Sequence, residues 1–337
     1  MTPTPPERGP IIEVEGLVKH FLVAPQGRGL RGSARALLSR HRQRVRAVDG
    51  LDFDLAPGEL VGFLGPNGAG KSTTIKMLTG ILVPTAGRLQ VAGCLPWRDR
   101  ARYTRRIGVV FGQRSNLWWD LPVRDSFDIL RHVYGLPRER FAANLARFDA
   151  LLGLDAFAAV PVRQLSLGQR MRADLAAALL HAPEILFLDE PTIGLDVVAR
   201  ERIRSFVREV NREQGVTVLL TSHDMGDVER LCQRVIVINA GRALFDGPLD
   251  ALRERFGVER ELVVDFEAPD GDFTVEGATI LAREGGRVTY RFRRDTLSAS
   301  ELIGRLAARH RIVDLTVREP DIEGVVRRFY ETEAGRG

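Results

Sequence analysis

The feature that most constrains this chain is the run Gly65-Pro66-Asn67-Gly68-Ala69-Gly70-Lys71-Ser72, which fits the pattern G-x-x-x-x-G-K-[ST]. It follows Leu60 to Leu64, a short apolar stretch suited to a buried strand. It opens a segment over 70–79 with helical spacing, closed by Gly80. A glycine-rich loop in that setting lets consecutive backbone N–H groups turn inward around an anion. The helix N-terminus adds about half a positive charge. Lys71 offers a compact ammonium to the β- and γ-oxygens of a polyphosphate, and Ser72 offers a hydroxyl to Mg2+. Lysine occurs only at positions 19, 71 and 76, which makes its presence here informative. The bland alternative is a glycine-rich turn with an incidental lysine, and the strand–loop–helix context argues against it.

A second element completes the first. Ile185-Leu186-Phe187-Leu188-Asp189-Glu190 reads as a buried strand that delivers two adjacent carboxylates at its carboxyl end, where open parallel sheets bind ligands. Asp189 suits a Mg2+ shell. Glu190 would then face the γ-phosphate and polarise the attacking water. Alone, such a pair is an ordinary solvated strand end; after a phosphate loop in the same chain it is more.

The rest of the pattern predicts an α/β architecture. Strands are expected at 11–17, 48–55, 60–64, 87–92, 107–111, 185–189, 216–221 and 234–238, with helices over 197–213 and 225–232. That alternation implies a mainly parallel sheet flanked by helices, with a helical insertion over 122–181. Pro248 to Phe256 reads as a closing helix. Past Gly257 the pattern changes to strands near 261–267, 278–283, 287–293 and 311–318, with helices near 298–309 and 321–331. The expected organisation is a flexible tail 1–10, a main domain 11–256 and a small C-terminal α+β domain 257–337. The main domain would carry a basic insertion at 24–46 and a helical subdomain at about 114–181.

At this point the resemblance to the ATP-binding cassette (ABC) ATPase family is plain. Leu165-Ser166-Leu167-Gly168-Gln169 resembles the family signature LSGGQ, with Leu167 in place of its first glycine. Pro191-Thr192-Ile193-Gly194-Leu195-Asp196 resembles the D-loop. Gln113 sits at the Q-loop position and His223 at the switch-histidine position, while Phe21 occupies the place of an adenine-stacking aromatic ring. The resemblance runs over residues 11–256, and the run Phe111 to Pro137 resembles the ABC-2 type exporter branch. It implies a P-loop ATPase that binds ATP and Mg2+, with Gly65 to Ser72, Thr73, Ser166, Gly168, Gln169, Asp196 and Phe21 on the nucleotide. Ser72, Gln113 and Asp189 would serve the metal, and Glu190, His223 and Gln113 the hydrolysis. It further implies that two nucleotide-binding subunits sandwich ATP head to tail and power a separate membrane-spanning permease. Taken singly, Gln113 reads equally as a surface glutamine, His223 as a core histidine, and Ser166 as a plain helix cap.

Composition removes other classes. No apolar window reaches the ~18 residues a membrane span needs, and Met1 to Pro10 lacks the apolar core of a signal peptide. The two cysteines, Cys94 and Cys232, support neither a disulfide framework nor a zinc site, and a reducing cytosol fits them. The family resemblance implies a location on the cytoplasmic face of the cell membrane. Seven arginines and no carboxylate lie within 24–46, which leaves the rest of the chain slightly acidic despite the net charge of +5, so nucleic acid is not an expected partner. That segment reads as a basic amphipathic helix for an anionic membrane surface. Leu30, Ala34, Leu37, Leu38, His41 and Val45 fall within an arc of about 100°. A solvated hairpin extension is its plain alternative. Trp118 and Trp119 lie where the family meets its permease, or are buried in the helical subdomain. The rival functions are a non-transport ABC ATPase acting on nucleic acid or an assembly complex, and a silent ATP-binding regulator.

Overall fold

The computed structural model describes residues 9–23, 43–112, 114–222, 224–256, 259–318, 323–326 and 329–330. Most of the tail 1–10, most of the insertion 24–46, and both Gln113 and His223 therefore lie outside the described residues. Gln43 to Arg46, expected as part of an amphipathic helix, are instead strand paired with His20 to Val23. The chain divides into two units, Met1–Asp246 and Gly247–Gly337. The sequence places that boundary ten residues later, after the helix that ends at Phe256 rather than before it.

The first unit holds two sheets where the sequence suggests one. The strands β1 (Ile12–Val23), β2 (Gln43–Leu55) and β4 (Ala86–Val91) form an antiparallel sheet in the order β2-β1-β4. A separate six-stranded sheet runs β5 (Ile107–Phe111), β6 (Ile185–Asp189), β7 (Thr217–Thr221), β3 (Leu60–Leu64), β8 (Arg234–Asn239), β9 (Arg242–Pro248). Its pairs from β5 through β8 are parallel. The division follows composition: β3, β6, β7 and β8 are nearly continuous apolar runs, as strands covered on both faces must be. β1 and β2 alternate, as strands packed on one face do. β9 is an addition to the expected strands, reached from β8 through Ala240 and Gly241, both at positive φ.

One core joins the two sheets. Ile12, Val14, Phe53 and Leu89 share it with Phe63, Phe187, Leu219 and Ile236, and with Ile75 and Leu78 of α1 (Lys71–Leu78). Phe53 and Phe63 meet at 5.7 Å between ring centroids. Each fully buried side chain of this size contributes about 1.5–3 kcal/mol. After a short helix α2 (Arg100–Tyr103) and β5 comes the expected helical region: α3 (Val123–Tyr134), α4 (Arg138–Leu152) and α5 (Leu167–Leu179). The unit then continues through α6 (Val197–Gln214) and α7 (Met225–Leu231).

The second unit begins its secondary structure with α8 (Leu249–Phe256). A four-stranded antiparallel sheet follows, β11 (Ala278–Glu284), β12 (Arg287–Arg293), β10 (Glu259–Phe266), β13 (Ile312–Arg318) in that order. Leu302 and Leu306 of α9 (Ala299–Ala307) share a core with Leu262, Val264, Val288 and Tyr290. A capping box at Ser298 and Glu301 starts that helix.

Candidate functional site

β3 ends buried at Leu64, and the chain turns through 65–70 into α1. Gly70 holds φ 109°, and a Cβ there would stand 2.5 Å from the Ala47 carbonyl oxygen of β2, so only glycine fits. The same closeness sets the β1–β2 hairpin beside the loop. No side chain caps α1 at Gly70, so its first-turn N–H groups are not taken up by a capping residue. Lys71 is 7% exposed. Its Nζ donates to the carbonyls of Gly65 at 2.5 Å and Pro66 at 3.2 Å. Burial lowers its pKa, while the carboxylates of Glu190 and Asp189 work the other way. Ser72 beside it is exposed.

Those carboxylates arrive on β6, whose four preceding residues are fully buried between β5 and β7. Glu190 takes φ 58°, a left-handed conformation that an L residue adopts only where its surroundings hold it. Its N–H donates to the Thr221 carbonyl at 3.0 Å, and the Gly112 N–H donates to the Asp189 carbonyl at 2.8 Å. A Cβ on Gly112 would lie 2.3 Å from the Glu190 carbonyl oxygen, so this glycine lets the strand preceding Gln113 close onto the carboxylate pair. On the other side, Thr221 Oγ1 donates to Asp189 Oδ1 at 2.6 Å. Gln113 and His223 are undescribed, but Gly112 and Thr221 both abut the Asp189–Glu190 strand end. Lysine, two carboxylates and a hydroxyl thus converge at the carboxyl end of the sheet. Ser72 and Asp189 are hard oxygen donors, the class Mg2+ takes together with substrate phosphates.

The signature follows different partners. Ser166 Oγ accepts from the Gln169 N–H at 3.2 Å, and Gln169 Oε1 accepts from the Ser166 N–H at 2.9 Å, a complete capping box for α5. A Cβ on Gly168 would meet Ala199 Cβ at 3.2 Å, and one on Gly194 would meet Leu167 Cδ2 at 3.1 Å. Leu167 therefore packs onto the D-loop segment, where the family's glycine has no side chain. Asp196 caps α6, accepting from the Ala199 N–H at 2.8 Å. Phe21 pairs with Val45 across the β1–β2 hairpin, half-buried, with Lys19 Nζ 5.5 Å from its ring centroid.

Two sets of residues escape the sequence reading. One is Thr221. The other is a buried ionic cluster around Asp227, which accepts from Arg204 Nε at 2.6 Å, from Ser222 Oγ at 3.1 Å and from Thr192 Oγ1. It joins the D-loop, α6 and the residue preceding His223. The spacing of Ser222, Asp224 and Asp227 about His223 is its sequence signal, but Arg204 and Thr192 come from elsewhere in the chain.

The family model described as "ABC transporter" matches residues 48–193. Nod factor export ATP-binding protein I of Burkholderia pseudomallei (strain 1710b) is 42% identical over 229 residues, covering 66% of this chain and 72% of that protein. ABC transporter ATP-binding protein NatA of Bacillus subtilis (strain 168) is 35% identical over 210 residues, 62% of this chain and 85% of that one. This chain belongs to the ABC transporter ATPase family. An ABC ATPase binds and hydrolyses ATP. Among solved structures, cbiO1 from Clostridium perfringens, part of the ABC transporter complex cbiONQ, has a TM-score of 0.59 at 26% identity. That match covers 73% of this chain and 92% of cbiO1. The dimeric bacterial ABC transporter cassette MJ0796 has a TM-score of 0.59 at 25% identity, covering 71% of this chain and 98% of that one. The ABC match ends before α6, so the second unit lies outside it. Among the described residues no helix is long and apolar enough to cross a membrane.

Proposed function

We propose that this ABC ATPase is the motor of an exporter, closing as a dimer of two copies on ATP and driving a membrane-spanning permease from the cytoplasmic face. The observation that carries it is that Lys71, at the start of α1, interacts electrostatically with Asp189 and Glu190 at the end of β6. The loop Gly65 to Gly70 and the first turn of α1, including Thr73, hold the β- and γ-phosphates, with Lys71 as countercharge. Ser72, Asp189 and Gln113 would hold Mg2+, which when bound would neutralise phosphate charge. Glu190 orients and polarises the attacking water, and His223 hydrogen-bonds the γ-phosphate. Phe21 stacks on adenine at the hairpin beside the loop. Ser166, Gly168, Gln169 and Asp196 face the nucleotide held by the second copy, and the dipole of α5 adds partial positive charge at its N-terminus. Loss of the γ-phosphate then removes the contact that holds the copies together. Trp118 and Trp119, 40% and 52% exposed, offer an aromatic surface to the permease. The arginine-rich segment 24–46 adds a contact with anionic lipid. Export is supported by the names of the Nod factor relatives.

Two substitutions test the site. Lys71→Ala abolishes ATP hydrolysis and weakens nucleotide binding, because the phosphates lose a buried countercharge. Glu190→Gln keeps binding, stalls hydrolysis and gives an ATP- and Mg2+-dependent dimer on size-exclusion chromatography. Wild-type turnover in Lys71→Ala would remove the phosphate-loop assignment. A Glu190→Gln protein that hydrolyses ATP normally would remove the role given to Glu190.

A further inference from the structure

We propose that Asp174 is a positioning residue that fastens the segment after Gln113 to the signature helix, so that the two move as one body in the ATPase cycle. Asp174 lies in α5 among Ala173, Leu175, Ala176, Ala177 and Ala178, all buried, and is itself 2% exposed. A carboxylate in such a stretch costs desolvation free energy that only specific hydrogen bonds offset. Its bonds are specific. Oδ1 accepts from the Asn116 N–H at 2.7 Å and from Ser115 Oγ at 2.9 Å. Both donors lie in the loop that leaves β5 through Gln113.

Asn116 also ties the loop back to β5, and the rest of the loop is tied to the helical region. Asn116 Nδ2 donates to the Val109 carbonyl of β5 at 2.6 Å, and the Trp118 N–H donates to Ser126 Oγ of α3 at 3.2 Å. The Arg170 guanidinium of α5 stands 5.9 Å from the Trp119 ring centroid. Arg163, just ahead of the signature, donates its N–H to the Trp119 carbonyl at 3.0 Å and pairs with Asp120 at 2.7 Å. The surface pairs among these are weak and replaceable. Asp174 is the buried one. It sits about two helical turns, or about 12 Å, beyond the Ser166 cap. A displacement of the exposed Trp118–Trp119 surface thus reaches the signature end of α5 as a rigid-body movement and is not lost in a slack loop.

The inference rests on Gln113 and the signature serving one ATP cycle, and Lys71-dependent hydrolysis by the unaltered protein checks that reading separately. The test is steady-state ATPase kinetics and hydrogen exchange on the full chain, with Asp174→Ala, Asp174→Asn and Ser115→Ala. In Asp174→Ala, kcat falls on the order of tenfold or more while KM for ATP stays within about twofold, because alignment is lost and nucleotide binding is not. Amide exchange over 114–119 speeds up, and exchange over 65–75 does not change. Asp174→Asn keeps an acceptor oxygen for the Asn116 N–H and recovers most of kcat. Ser115→Ala, which removes one donor only, gives a smaller fall and stands in if Asp174→Ala does not fold. A kcat loss that tracks only the folded fraction, or no recovery with asparagine, overturns the proposal. So does unchanged exchange over 114–119 in both Asp174→Ala and Ser115→Ala.

Discussion

Two buried titratable side chains pull the stability of the first unit in opposite directions as pH falls. Burial raises the Asp174 carboxyl from 3.8 to about 6, against the Asn116 N–H, the Ser115 hydroxyl and Arg170, which lower it. Burial lowers the His181 imidazole from 6.5 to about 4, opposed by the Ile107 carbonyl and reinforced by Arg140. The His181 ring lies stacked on Tyr134 of α3, 4.0 Å between centroids, with Nε2 at 2.9 Å from the Ile107 oxygen. The signs differ. For Asp174 the folded state takes up a proton before the unfolded chain does, so acid stabilises it between about pH 6 and 3.8. For His181 the unfolded chain takes up the proton first, so stability is lost between 6.5 and about 4. Each contribution is on the order of 3 kcal/mol at the far end of its window, and they largely offset. Thermal melts from pH 7 to 4 check this. Asp174→Asn makes the acid loss of Tm steeper, and His181→Gln makes it shallower. Parallel curves for all three proteins would mean that neither group titrates as its burial dictates.

At the scale of elements, the β1–β2 hairpin matters most for what it presents. Its described part runs out to Val23 and Gln43, with Leu22 and Val45 exposed and Arg44 and Arg46 beside them. It thus leads into a sequence segment of arginines and spaced apolar residues. Each arginine near an anionic lipid surface contributes about 1 kcal/mol. In liposome flotation the intact protein should bind anionic vesicles in a salt-sensitive way, and a protein lacking residues 27–45 should not. Equal flotation of the two would end the proposal. ATPase activity should survive a shorter deletion of residues 27–42, which leaves Phe21, its strand partner Val45 and the phosphate loop in place. The helical subdomain teaches a complementary point: its elements start from local signals such as the Ser166–Gln169 capping box, yet it is joined to β5 through Asp174 and Asn116.

At the scale of the molecule, every residue proposed to handle phosphate lies in the unit that ends at Asp246. The second unit has its own sheet, helix and core, the contents of a domain able to fold alone. A chain ending at Asp246 should therefore fold and bind a fluorescent ATP analogue with about the affinity of the full protein. We propose that the second unit tunes dimerisation or the choice of partner, so export driven by the truncated chain should change. A truncated protein that is folded by circular dichroism but binds no nucleotide would reverse that division of labour.

The phosphate loop, the Asp189–Glu190 strand end and the Ser166 cap were readable along the chain because their chemistry is contiguous. A loop that wraps an anion, a strand that ends in carboxylates and a cap three residues from its N–H are each written within a few positions. The same holds for most strands and helices, whose periodicity is local. The partition into two sheets was not readable, since a strand's partner is chosen by which face the rest of the molecule covers. Nor were the supports of the site. Thr221 reaches Asp189 across 32 positions, and Asn116 reaches Asp174 across 58. Nothing near a buried carboxylate in the sequence says which distant donor will satisfy it. That choice is made when parallel strands and the helices packed on them bring remote backbone into register, and burial then makes an unsatisfied carboxylate too costly to keep.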